Sequence, residues 1–489
     1  MATWPMAIRG HAHARWRGEV VQSQPCRVGV LAAYVDRSKN PKDAMRGTVV
    51  FSTAWLAGCT WWLYISMHTY GGMPPVLAAS AVVLLAAALS WIYGAAMWLL
   101  KRTVSTETSV LVRAMAFGAA WGVAEWLRGT VATGFPWGAV GYAHVDGALR
   151  HFAPWVGVYG LSAMVAALAM LIGAQRLHRE KSSAPAQWGV WSLALVWALV
   201  WWQSPSQTHA WRVSDWPAPA KPTDNSLRIS LLQGNVPQEL KFGSAAVAAL
   251  QDYRAKLLQE PADLVVTPET ALTFLPEQIP AEYWRPLRAT QDRALLLGLP
   301  MRADRGRGGY TNSVLGLAPE QPSDYRYDKH HLVPFGEFVP PLFQWFVDWM
   351  HIPLGDFARG PLAQAPFEWR GQRISVNICF EDLFGEELAQ TFTDPARAPL
   401  ELGRPMLRAT NTGATALIDA KGDVLHKLPY DTEGALRVEV RGLDGALTPY
   451  AWWVTQWGLW PFVAAMACLW AWAARMSHHA RHGQRRFGS

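Results

Sequence analysis

Three residues in the second half of the chain have the types and settings for nucleophilic chemistry. Cys379 ends an apolar run, Ile374–Ile378, and is followed by Phe380, Glu381 and Asp382, so the sequence places a thiol at a strand end facing a cleft. Glu269 stands in Val265-Val266-Thr267-Pro268-Glu269-Thr270, at the end of a second strand-like run. Between them, Tyr327-Asp328-Lys329-His330-His331-Leu332-Val333-Pro334-Phe335-Gly336-Glu337-Phe338 sets a lysine beside a loop stiffened by aromatics, Gly and Pro. An acid, a lysine and a cysteine at three strand ends supply base, cation and nucleophile for acyl transfer. Each also has a plainer reading: a buried thiol acting as a small hydrophobe, a surface lysine, a glutamate partnering a helix N-cap.

The elements around them divide the chain in two. Apolar residues make up 51% and charged residues 17% of 489, with 28 tryptophans and a mean hydropathy of +0.04. That excludes a disordered chain, a collagen and a disulfide-rich miniprotein, and it implies apolar runs joined to a polar domain. Runs long enough to cross a membrane as helix lie at about 48–66, 76–100, 111–127, 152–173, 187–203 and 452–473. The third ends in Glu125 and Arg128, read either as an interfacial pair at a helix end or as a functional intramembrane pair.

The charge is terminal. Residues 1–46 carry +5 and the tail from 474 carries +4, so the rest of a chain of net charge +7 sums to −2. Basic ends beside apolar spans argue for membrane topology and against nucleic-acid binding. A cytoplasmic N-terminus puts Lys101, Arg102, Arg113, Arg176, Arg179, Lys181 and the C-terminal tail on the inside. The five spans before residue 204 then deliver 205–451 to the far side. No separate secretory signal is visible in 1–46.

The expected organisation is therefore a basic cytoplasmic tail (1–46), a membrane domain of about five helices (47–204), a polar domain (205–451), a C-terminal transmembrane helix (452–473) and a second basic tail (474–489). The polar block opens with a Pro-rich linker, Trp216–Pro222. It then alternates strand-like runs (227–233, 264–267, 294–299, 313–317, 374–380, 414–419, 435–440) with amphipathic stretches, as an α/β layered domain does. Gly422-Asp423 before Val424–Lys427 reads as a hairpin turn. Of four cysteines (Cys26, Cys59, Cys379, Cys468) only Cys379 lies in this block, so it holds no internal disulfide. His330 and His331 lack ligand partners at useful spacing and read as packing or surface residues, not metal ligands.

The ordered trio Glu269, Lys329, Cys379 in Pro-Glu-Thr, Asp-Lys-x-x-Leu-Val-Pro-Phe-Gly-Glu and Ile-Cys-Phe-Glu resembles the nitrilase superfamily. Within it, the chain from about 47 to 462 is similar to the bacterial apolipoprotein N-acyltransferases, the membrane-anchored branch. Further residues carry that likeness: Trp62–His68, Gly71–Pro74, Ala124–Gly129, Gly134–Trp137, Gln233–Gln238, Glu401–Pro405 with Arg408–Gly413, and Leu447–Tyr450. The set is specific taken together, although any one motif alone is weak.

The resemblance implies a multi-span α-helical membrane domain plus an α/β nitrilase-like (α-β-β-α sandwich) extracytoplasmic domain in a bacterial inner membrane. It also implies a reaction. Glu269 takes the Cys379 proton, Lys329 and the backbone N–H of Phe380 stabilise the oxyanion, and Glu337 and Glu381 support Lys329, with a solvated loop carboxylate as the plainer reading of each acid. An acyl chain passes from a phospholipid through a cysteine thioester to the α-amino group of a diacylglyceryl apolipoprotein, with no metal or cofactor. The aromatic run Leu342–Met350, with Trp345, Phe346 and Trp349, reads as an interfacial lid whose opening Phe242 lines, or as a helix buried on the domain core.

The sequence departs from the family in two places. About 25 to 30 residues look absent after Gly385, a loss expected to remove an inner strand beside the nucleophile and force the sheet to rearrange. Two apolar spans that usually precede Gly47 have no counterpart in 1–46. Two other readings therefore accompany the acyltransferase: a membrane-tethered carbon–nitrogen hydrolase using water, and a non-catalytic envelope scaffold or assembly factor.

Overall fold

The computed structural model describes residues 27–487 apart from 146, 179–220, 238–239, 244, 304–308, 320, 335, 340–356, 391–401 and 445–446. It forms two compact units, a helical one drawn from Trp4–Arg212 and Trp457–Ser489 and an α/β one in Val213–Gln456.

The helical unit has long helices at Pro41–Cys59, Pro75–Thr103, Val110–Thr130, Ala153–His178 and Trp460–Phe487. The first is started by Asn40, whose side chain accepts from Lys42 N–H at 2.9 Å with Pro41 in the first turn. Small residues let the helices close: a Cβ on Gly118 would stand 2.5 Å from the Ala163 carbonyl, and one on Gly122 2.9 Å from the Ala163 Cβ. Among the described residues, three helices (Pro75–Thr103, Val110–Thr133, Leu149–Ala174) are long and apolar enough to cross a membrane, or up to five if each of two bent pairs, Pro41–Cys59 with Trp62–Thr69 and Pro449–Trp457 with Trp460–Arg481, is one span. The expected span at 187–203 and the linker before Lys221 lie outside the described residues.

One sequence expectation needs correction in this unit. Residues 27–37, assigned to the basic tail, are helical and bury Val28, Leu31, Ala32, Ala33 and Val35, so the packed helices begin before Gly47. Glu125 and Arg128 are both buried among the helices, at 0% and 1% exposure. Glu125 Oε1 accepts from Trp121 Nε1 at 2.9 Å and Val140 N at 3.0 Å. Arg128 donates to Tyr93 OH at 2.8 Å and to the carbonyls of Phe135, Pro136 and Trp137. Both clamp the turn-rich segment after their helix: Arg128 satisfies its carbonyls and Glu125 one of its N–H groups, which lipid could not.

The α/β unit is built on strands β1 (Lys221–Gln233), β2 (Leu264–Val266), β3 (Ala294–Arg302), β4 (Tyr310–Leu317), β5 (Tyr325–Asp328), β6 (Phe367–Trp369), β7 (Gln372–Ile374), β8 (Met406–Arg408), β9 (Ala416–Ile418), β10 (Val424–Lys427) and β11 (Gly434–Asp444). One six-stranded sheet runs β11-β1-β2-β3-β4-β5. β1, β2 and β3 are parallel to their neighbours in that trio, and the other pairs are antiparallel. Crossover helices Ala246–Gln259 and Ala281–Arg288 make the parallel connections possible.

Period-two alternation sorts the two faces of this sheet. Val265, Leu295, Leu297 and Leu299 pack under the crossover helices with Leu250, Tyr253, Leu257 and Leu287. Leu227, Ile229, Leu231, Leu264 and Leu296 face the other way, onto Phe367 and Trp369 of β6. The Gly422-Asp423 turn joins antiparallel β9 and β10, with Asp419 N–H donating to the Asp423 carbonyl at 2.9 Å.

The second strand layer is split into a β6–β7 hairpin and a separate β10-β9-β8 sheet. The expected strand Ile374–Ile378 is correspondingly short: β7 ends at Ile374, and 375–378 lead to Cys379 outside any strand. The apolar pattern is there, but no neighbouring strand among the described residues pairs with it.

Candidate active site

Glu269 is aimed by a tight junction between β2 and β3. Thr267 N–H donates to the Leu296 carbonyl at 2.9 Å, Gly298 N–H donates to Thr267 Oγ1 at 2.9 Å, and Leu272 N–H donates to the Gly298 carbonyl at 3.1 Å. Gly298 has to be glycine, because a Cβ there would lie 2.2 Å from the Pro268 carbonyl oxygen and 3.0 Å from the Glu269 Cα. Lys329 follows β5, with its N–H on the Asn312 carbonyl at 2.8 Å and its own carbonyl accepting from Gly360 N–H at 2.9 Å.

Their side chains meet in one buried network. Lys329 Nζ lies 3.3 Å from Glu269 Oε1 and 3.0 Å from Glu337 Oε1. Asn312 Nδ2 bridges the same two oxygens, donating to Glu269 at 2.7 Å and to Glu337 at 2.8 Å. The other Glu337 oxygen accepts from Val333 N–H at 2.9 Å. Side-chain exposure is 1% for Lys329 and 2% for Glu337 but 24% for Glu269, so the base stands at the opening and its supports lie beneath.

Cys379 is half-buried and has φ of +55°, in the left-handed region that non-glycine residues rarely adopt. It begins a single 3-10 turn, Cys379–Leu383. Glu381 holds that turn and ties it to the lysine loop. Its carboxylate accepts from Ile378 N–H at 2.6 Å, His330 N–H at 2.7 Å, His331 N–H at 3.1 Å and Tyr327 OH at 2.9 Å. Phe380 is buried edge-on to His331 and Phe384, with ring centroids 5.3 and 5.0 Å away, and His331 stacks on Phe384 at 3.5 Å while pairing with Glu387 at 2.9 Å.

The electrostatics set the resting protonation. Burial pushes the Glu269 carboxyl up, but the ammoniums of Lys329 and Lys241 and the Asn312 donor outweigh it and hold the group below its usual range. Burial likewise opposes charge on Lys329, and Glu269 and Glu337 overcome it, keeping the lysine firmly protonated. Burial and the adjacent Glu269 carboxylate raise the Cys379 thiol, against the pull of Lys329. A protonated thiol beside an ionised carboxylate is the ground state of a general-base nucleophile, in which the proton moves as the sulfur attacks.

The structure brings Glu269, Lys329, Glu337, Glu381 and Cys379 together, and Phe380 follows Cys379, packed on His331 and Phe384. Phe242 is 53% exposed on the turn after β1, and Trp345, Phe346 and Trp349 lie outside the described residues. Sequence reasoning missed Asn312 and Lys241. An asparagine inside the buried strand Tyr310–Leu317 was a usable signal, since strand interiors disfavour it.

Comparison with known proteins agrees with this architecture. Residues 243–399 match the carbon-nitrogen hydrolase family, and residues 25–171 match the apolipoprotein N-acyltransferase N-terminal domain. An acyltransferase-type N-terminal domain joined to a carbon-nitrogen hydrolase domain on one chain marks a membrane-embedded acyltransferase. Apolipoprotein N-acyltransferase of Verminephrobacter eiseniae is 48% identical over 474 residues, covering 88% of this chain and 87% of that protein. The Ralstonia nicotianae enzyme of the same name is 42% identical over 86% of this chain and 83% of its own length. The chain belongs to the apolipoprotein N-acyltransferase family.

Proposed function

We propose that this enzyme carries out the last step of lipoprotein maturation, moving an acyl chain from a phospholipid to the α-amino group of an N-terminal diacylglyceryl-cysteine. The observation that carries the reading is the Glu269–Asn312–Glu337–Lys329 network in the same site as the Cys379 turn. Glu269 takes the Sγ proton as sulfur attacks the phospholipid ester carbonyl. Lys329 and the Phe380 N–H stabilise the tetrahedral oxyanion. Collapse expels the lysophospholipid alkoxide, which takes the proton back from Glu269 and leaves a Cys379 thioester. The neutral amine of the acceptor then attacks, passes a proton to Glu269 and releases the thiolate, which recovers that proton.

The protein is placed in the bacterial inner membrane with both basic tails cytoplasmic and the domain at 205–451 in the periplasm, where phospholipid and nascent lipoprotein meet. The positive ends and the apolar spans support this orientation. Phe242, exposed on the turn after β1, lines the acyl-donor entrance.

Purified enzyme incubated with phospholipid and a diacylglyceryl-cysteine lipopeptide is expected to yield the N-acylated peptide and a lysophospholipid in equal amounts. Release of free fatty acid without peptide acylation would identify a hydrolase instead. Protection of 221–444 from protease added outside spheroplasts would overturn the periplasmic placement.

A further inference from the structure

Lys241 is a buried cation for which the mechanism above has no use. It sits in the turn Leu240–Gly243, closed by Gly243 N–H on the Leu240 carbonyl at 3.0 Å. Its neighbours Leu240 and Phe242 point outward, at 42% and 53% exposure, while Lys241 itself is 5% exposed. A lysine ordinarily lays its stem on the protein and keeps its ammonium in water, because burying the charge is unfavourable. Here Nζ instead donates to the backbone carbonyl of Glu269 at 3.1 Å. Burial lowers the Lys241 ammonium from its ordinary value, and the opposing pull comes from Glu269 and Cys379.

We infer that Lys241 is a positioning residue: its ammonium pins the Glu269 peptide and keeps that carboxylate ionised, ready to accept the Cys379 proton. The groups facing Glu269 fix the charge balance. Lys329 and Lys241 are the cations, Asn312 donates a neutral hydrogen bond, Cys379 is the proton donor, and Glu337 and Asp382 are the further carboxyls of the cluster. Asp382 pairs with Arg408 at 3.3 Å, so the two ammoniums offset the carboxylates of Glu269 and Glu337. Without Lys241 one buried negative charge is left over, and Glu269 is the group that relieves it by binding a proton early. The turn also links the outward Leu240 and Phe242 to the base through a single residue.

The inference rests on Glu269 as base and Cys379 as nucleophile, and its test avoids acyl transfer altogether. Alkylation of Cys379 by iodoacetamide is followed by mass against pH, with Cys379→Ala as the background for the other cysteines. Wild type is expected to react down to an acid limb set by Glu269. In Lys241→Met that limb moves up by about one pH unit or more, the size of losing one opposite charge nearby, and Lys241→Arg returns it. Lys241→Gln keeps a donor for the Glu269 carbonyl but no charge, and its limb is expected to shift as in Lys241→Met. A limb that stays in place in folded Lys241→Met or Lys241→Gln overturns the inference, as does failure of all three variants to fold, which would make the lysine purely architectural. No pH-dependent Cys379 reactivity in wild type would instead contradict the assignment of base and nucleophile.

Discussion

Lys329 and Glu337 face each other at 3.0 Å with side-chain exposures of 1% and 2%. At that depth neither charge can be hydrated, so each depends on the other. Glu337→Ala leaves the ammonium with Glu269 alone, and it is expected to cost about 3–5 kcal/mol of stability, as breaking a buried pair does. Thermal unfolding in detergent should show the lower midpoint, and acyl transfer should fall by about 100-fold or more as the oxyanion donor loses its anchor. Unchanged stability and rate would remove Glu337 from the site.

Asn312 is the second dependency. Its one amide group donates to both Glu269 and Glu337, so Asn312→Ala leaves two carboxylate oxygens each short of a donor. Activity should drop by about tenfold or more, and Asn312→Asp should be worse, because it adds a third carboxylate between two others. Steady-state rates on the lipopeptide acceptor distinguish these outcomes.

Gly298 tests the geometry without touching charge. An added Cβ meets the Pro268 carbonyl at 2.2 Å and Thr270 N at 2.9 Å, both backbone atoms that cannot swing aside. Gly298→Ala is expected to displace Glu269 and lower the rate by about 100-fold, since a shift near 1 Å suffices for that. A fully active Gly298→Ala would mean that the base is not held by this junction.

Glu381 gives a pH signature. Burial raises its carboxyl from 4.5 to about 7, against its amide donors and Lys329. The folded state therefore keeps a proton that the unfolded state releases, and this group contributes stability that is fully present below about 4.5 and lost as pH rises through about 7. Glu381→Gln should abolish that part of the pH dependence of the thermal midpoint between those values. A wild-type and variant pair with parallel profiles would contradict it.

Much of this was legible in the sequence, for identifiable reasons. Short aliphatic and β-branched runs announced β1, β3 and β11, because strands are written locally, and Glu269, Lys329 and Cys379 stood out at the ends of such runs. Asn312 and Lys241 did not, since their roles arise only when β4 and the turn after β1 are folded against Glu269. The helix at 27–37 was legible and overlooked: Val28, Leu31, Ala32 and Val35 repeat at helical spacing, but the flanking Arg27, Arg37 and Lys39 drew the reading toward a solvated tail. Residues 375–378 have strand character without a strand neighbour among the described residues, and no local pattern reports a missing partner.

The central claim is that Cys379 carries the acyl group. Intact mass of the purified protein in phospholipid micelles, before any acceptor is added, tests it most directly against Cys379→Ala. An acyl-sized mass increase on wild type alone, discharged by a diacylglyceryl-cysteine peptide and far more slowly by water, is the predicted result. No adduct on well-folded wild type, or an equal adduct on Cys379→Ala, would contradict it.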